Sequence, residues 1–197
     1  MKTPSLLAVL LVLLSGGAAR AADTNAPTLM IYRFAGGPAR TGEIGFPVIA
    51  ALWADGRIVW SESHIQGGPP YRQGRFAREK LDSLLDTLER KQVFRDAAQF
   101  RGNFGPDAGY TIIAIDDGRR RVRMESWHES FEQNTNLVAT AGGITTLRGA
   151  KREDVMRKQP EAYRRLRNTW TEIRQAAEAL IPKSGELYEG EIPIPGR

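Results

Sequence analysis

His64 and His128 are the only two imidazoles in this 197-residue chain, and each stands beside side chains that chemistry uses. Glu62 and Ser63 precede the first, Ser126 precedes the second and Glu129 follows it. Imidazole nitrogens and carboxylate oxygens are ligands for divalent metals, so Glu62, His64, His128 and Glu129 would make a metal centre if the fold brought them together. The spacing does not require this, because neither His–Glu neighbourhood has the i, i+4 arrangement that sets two ligands on one helix face. No metal and no other cofactor is expected, with those four residues as the alternative. A serine becomes a nucleophile only with a base in hydrogen-bond reach, and Ser126 with His128 is the candidate pair, with Glu129 as the neighbouring acid. Neither Ser63 nor Ser126 sits in a Gly-x-Ser-x-Gly turn, and a Ser and His side by side on one strand lack a triad's oxyanion hole. A chain with no chemistry of its own is the expectation, with an enzyme built on these residues as the alternative.

Aromatic side chains supply a second set of candidates. Trp53, Trp60, Tyr71 and Trp127 would serve a binding surface if exposed, since an indole stacks on a sugar ring or a partner's apolar patch. Packed in a core, they would bury a large area instead. Gly67-Gly68-Pro69-Pro70 is no phosphate loop, because two prolines remove amide donors and no Lys-Ser/Thr pair follows.

The elements that position these residues are legible in part. Thr28 to Phe34 and Phe46 to Trp53 read as strands, and Asp55-Gly56 between the second of these and Ile58-Val59-Trp60 predicts a hairpin. Leu81, Leu84, Leu85 and Leu88 recur at helical spacing and predict a helix over 77–91. Tyr110 to Ile115 reads as a buried strand, and Asp116-Asp117-Gly118 as a turn into the alternating segment Arg121 to Ser126. Pro160 opens a C-terminal helix with an apolar stripe of Tyr163, Leu166, Trp170, Ile173, Ala177 and Leu180, and Pro182 ends it. The fold class expected is α+β: an antiparallel sheet of about four to five strands packed by a central helix and a C-terminal helical segment. The echo between the two Asp-Gly hairpins is compatible with an internal duplication or with two ordinary hairpins.

Residues 1–21 carry Lys2, an apolar run from Leu6 to Leu14 and Ala19-Arg20-Ala21, the pattern of a secretory signal peptide. The mature chain is expected in the periplasm or outside the cell, with residues 22–184 as one domain and 185–197 as an extended or disordered tail. Setting Lys2 and Arg20 aside leaves 26 basic against 23 acidic residues. That mild balance and the export label argue against a nucleic-acid partner. No cysteine is present, so neither disulfides nor thiolate chemistry enters. The segment Arg148 to Arg174 holds nine basic residues, including Arg164, Arg165 and Arg167, and is a candidate docking face for an anionic polymer.

The run Ala54-Asp55-Gly56-Arg57-Ile58-Val59-Trp60, the Leu-rich helix with Val93-Phe94, and Thr111 to Ile115 with Asp117-Gly118 resemble small exported bacterial proteins of unknown function. The resemblance spans residues 43–127, implies a module of two hairpins with a helix between them, and carries no catalytic positions. The expected function is a non-catalytic binding module of the bacterial cell envelope, its partner an envelope protein or glycan. A metal-dependent enzyme using His64 and His128, and a polymer binder using the Arg-rich helix, are the alternatives.

Overall fold

The computed structural model describes residues 25–34, 46–95 and 109–194. The export signal read in residues 1–21, the Gly36-Gly37-Pro38 breaker and the loop at 100–108 lie outside them. Strands β1 (Leu29–Phe34), β2 (Val48–Leu52), β3 (Arg57–Ser61), β4 (Tyr71–Arg75), β5 (Tyr110–Asp116), β6 (Arg121–Ser126) and β9 (Glu186–Tyr188) form one antiparallel sheet in the order β6-β5-β1-β2-β3-β4-β9. Strands β7 (Leu137–Thr140) and β8 (Gly143–Thr146) pair separately. Helices α1 (Arg78–Arg90), α2 (His128–Phe131), α3 (Arg152–Arg157) and α4 (Glu161–Leu180) complete the described elements.

This corrects the expected sheet of four to five strands packed by one central helix. Seven strands are joined, a further pair stands apart, and α1 and α4 share one face of the sheet. The strands missed are polar or very short: Tyr-Arg-Gln-Gly-Arg has no apolar alternation, and Glu-Leu-Tyr is three residues long. Their pairing is set by the neighbouring strand rather than by a pattern of their own. The segment expected as a tail supplies β9, which pairs with β4 through Tyr71–Tyr188, Arg72–Leu187 and Gln73–Glu186.

Both Asp-Gly turns form hairpins as expected. Gly56 at φ +82° takes the left-handed conformation and donates its N–H to Trp53 O, so β2 and β3 pair as Ala50–Trp60, Ala51–Val59 and Leu52–Ile58. Tyr32 pairs with Val48 while Ile31 pairs with Ala50, leaving Ile49 as an extra residue in a bulge. Ile49 and Ala50 consequently both join the core under the helices. That core takes Leu81, Leu84, Leu85 and Leu88 from α1 and Leu166, Trp170, Ile173, Ala177 and Leu180 from α4. Each such large side chain, fully buried, stabilises by about 1.5–3 kcal/mol. The opposite face carries a second cluster of Met30, Tyr32, Val48, Ala51, Trp53, Val59 and Ile112. No helix among the described residues is long and apolar enough to cross a membrane.

After α4 the chain crosses the edge of the sheet as a strap, Pro182 to Gly185, before entering β9. The strap lies directly on the Trp60 indole. A Cβ at Gly185 would stand 2.6 Å from the Gln73 carbonyl oxygen and closer still to the indole, and one at Gly74 would meet Pro182 at 3.1 Å. Two glycines thus let the strap reach the sheet edge.

Candidate functional site

The chain brings its chemistry-bearing groups together in two places. The first is a seam where α2 and β7 meet α4. His128 opens α2 just after β6, is 6% exposed, and its Nδ1 is hydrogen-bonded to Ser126 Oγ. Its ring meets Trp170 edge-on, with centroids 5.3 Å apart. Burial, then the nearby charges of Arg167 and Arg174, pushes its pKa down to about 3. Glu129 Oε1 accepts hydrogen bonds from Trp170 Nε1 at 2.9 Å and Arg174 Nε at 2.8 Å, while Arg174 Nη2 donates to the His64 carbonyl at 2.9 Å. One turn on, Glu132 takes a two-pronged bond from Arg167, Nη1 to Oε1 at 2.9 Å and Nη2 to Oε2 at 2.8 Å. Glu132 Oε1 also accepts the Ala139 N–H, and Arg152 Nη2 caps the Leu137 carbonyl beside it.

This seam holds the fold together and suits catalysis poorly. An imidazole that protonates only near pH 3 has little proton affinity with which to activate Ser126 as a nucleophile. Glu129, the neighbouring acid, is committed to Trp170 and Arg174. The positive field of Arg167 and Arg174 that lowers the His128 pKa would also oppose a metal cation at the same place. The second histidine is held elsewhere: His64 Nδ1 is 3.7 Å from Glu178 Oε1. Trp170 and Glu178, the points on α4 where the two rings are held, are eight positions apart in the helix. At 1.5 Å per residue that is about 12 Å along the axis, against metal–nitrogen bonds of about 2 Å. The set Glu62, His64, His128 and Glu129 is therefore not gathered round one point. Among the described residues no group of three or more His, Asp or Glu side chains is placed to hold a metal.

The aromatic candidates are likewise dispersed. Trp53 and Trp60 are 2% and 5% exposed and belong to opposite faces of the sheet. Tyr71 is half-buried on the Trp53 face, where its hydroxyl accepts the Val48 N–H at 3.3 Å. Trp127 is half-buried and packs edge-on against Phe131 at 5.6 Å. Of the arginines read as a polymer-binding face, Arg167 turns inward to Glu132, while Arg164 and Arg165 lie on the outer side of α4.

The second place is the margin formed by β3, β4 and β9. Here the strap leaves a hollow on each side. One, of about 470 Å³, is lined by Trp60, Glu62, His64, Arg72, Lys183 and Ser184; there Glu62 Oε1 pairs with Arg72 Nη2 at 2.7 Å. The other, of about 700 Å³, is lined by Arg57, Gln73, Arg75, Ser184 and Glu186. Leu187 and Ile65, both more than half exposed, add apolar surface near the first hollow, Leu187 standing across from Arg72 and Ile65 following His64. Sequence reasoning singled out Glu62, His64 and Trp60 here but missed Arg57, Arg75, Lys183 and Ser184. The usable signals were Gly74 and Gly185, glycines outside the hairpin turns, and the arginine that follows Asp55-Gly56. No protein-family model, no curated protein and no solved structure matches the chain.

Proposed function

We propose that this protein is a non-catalytic binding module of the bacterial cell envelope, exported by the leader read in residues 1–21, and that the β3–β4–β9 margin is its ligand surface. One contrast carries the reading: Ser126 and His128 are buried and bonded to each other and Glu129 is taken up by Trp170 and Arg174, while Glu62, His64 and the arginines at the margin line open hollows. His64, 41% exposed at its side chain, and Arg75, Lys183 and Ser184 stand there on or beside rigid elements. Two adjoining hollows with charged, hydroxyl and apolar lining suit a ligand with several polar groups, such as an envelope glycan or a segment of an envelope protein.

The reading is tested by two-dimensional NMR of the mature chain against a panel of acidic and neutral oligosaccharides and peptidoglycan fragments. Shifts are expected at the Trp60 indole N–H and through residues 182–187, with the probes recovered intact. Turnover of any probe that disappears in Ser126→Ala or His128→Asn protein would establish catalysis at the seam and overturn the proposal.

A further inference from the structure

We infer that the hollow between Arg57 and Arg75 is a site for the carboxylate of an acidic sugar; this deepens, and rests on, the reading of the β3–β4–β9 margin as the ligand surface. Arg57 and Arg75 are directly opposite one another in the β3–β4 register, so both side chains leave the same face of the sheet. Like charges in that relation destabilise a strand pair, and an anion between them removes the cost. The two guanidinium groups are held in place without being used up. Arg57 lies over the Trp53 ring at 4.3 Å, with its Nε buried and without a hydrogen-bond partner, and Asp55 Oδ2 is 3.8 Å from that atom. Arg75 donates Nη1 to the Asp55 carbonyl at 3.2 Å, which anchors one corner of the fork.

The rest of the lining selects among anions. Glu186 stands in the same lining and Asp55 Oδ2 lies 3.8 Å from Arg57, so a dianionic phosphate would meet more repulsion than a monoanionic carboxylate. A carboxylate also matches the planar guanidinium fork with two oxygens. Gln73, Ser184 and Glu186 then present an amide, a hydroxyl and a carboxylate, the donors and acceptors that sugar hydroxyls need. Arg152 and Arg167 also have a buried Nε without a partner, but their Nη atoms are bonded to the Leu137 carbonyl and to Glu132. Among the described residues Arg57 has the Asp55 ion pair and the Trp53 ring but no such side-chain hydrogen bond.

The probe is oligogalacturonate, titrated into the mature protein at low salt by calorimetry and by two-dimensional NMR, with its methyl ester and inorganic phosphate as the other arms. The acid is expected to bind, the ester to lose binding, and Arg57→Gln and Arg75→Gln each to weaken affinity by about tenfold or more. Arg119→Gln, in the distant β5–β6 turn, should leave affinity unchanged. If Arg57→Gln yields little folded protein, Arg75→Gln alone decides. Equal binding of the ester, tighter binding of phosphate, or unchanged affinity in the variants would overturn the carboxylate site. Shifts confined to the Trp60–His64 hollow would overturn it and leave the binding-module reading standing; no shift at either hollow with any probe would overturn both.

Discussion

The α2–α4 seam and the β3–β4–β9 margin are both rich in arginine, yet they use it in opposite ways. At the seam Arg167 is 14% exposed and its fork is closed on Glu132, itself 11% exposed; Arg174 ties Glu129 to the His64 carbonyl. At the margin Arg57 and Arg75 face each other across two strands, and among the described residues their side chains make one hydrogen bond to the protein, from Arg75 to the Asp55 carbonyl. A buried pair that loses one partner leaves a charge without water or a counter-ion, whereas a half-exposed arginine can be rehydrated. The first arrangement ties elements to one another, and the second leaves guanidinium donors facing solvent. Counting basic residues along the chain does not separate them.

That contrast can be broken most directly at Glu132. Glu132→Ala removes the acceptor of the Arg167 fork and of the Ala139 N–H, and is expected to cost about 3–5 kcal/mol in urea unfolding. A loss below about 1 kcal/mol would mean the seam is no more structural than the margin. Replacing Glu132 and Arg167 together by Leu and Met should recover much of the loss, because the buried Arg167 charge is then not left alone and Arg152 keeps its bond to the Leu137 carbonyl.

A pH titration sharpens the same point. An imidazole in the unfolded chain titrates near 6.5, while the folded one is held down to about 3. Between those values the unfolded state binds the extra proton, so the contribution of His128 is fully present above about pH 6.5 and is lost as pH falls towards 3. The expected slope is about 1.4 kcal/mol per pH unit inside that window. Urea midpoints measured from pH 7 to pH 4 should show it in the wild type and show a shallower dependence in His128→Asn. Parallel curves for the two proteins would place the imidazole in water.

The smallest effect is expected at the margin. Arg75→Gln without ligand should change stability by less than about 0.5 kcal/mol, and a small gain would follow from relief of the like-charge pair. A loss greater than about 1 kcal/mol in thermal or urea unfolding would make Arg75 a structural residue like Arg167 and would erase the contrast.

Local rules were enough for much of the scaffold. The Asp-Gly turns, the leucine spacing of α1 and the stripe of α4 act over a few residues, so β1–β3, β5, β6 and both long helices were readable directly. That Trp53 and Trp60 lie on opposite faces came from the register, which pairs Trp60 with Ala50 and puts Trp53, three positions on, on the other side. Glu62, Trp60 and His64 were found because their residue types are conspicuous. Tertiary structure alone decided the remainder. Strands β4 and β9 exist because a neighbour supplies their hydrogen bonds, and Glu129 and Glu132 meet Trp170, Arg167 and Arg174 because α4 docks across α2. The strap over Trp60 and the Arg57–Arg75 pairing depend on register between segments far apart in the chain. Contacts of that kind carry no local periodicity, since their energy appears only once both partners are in place.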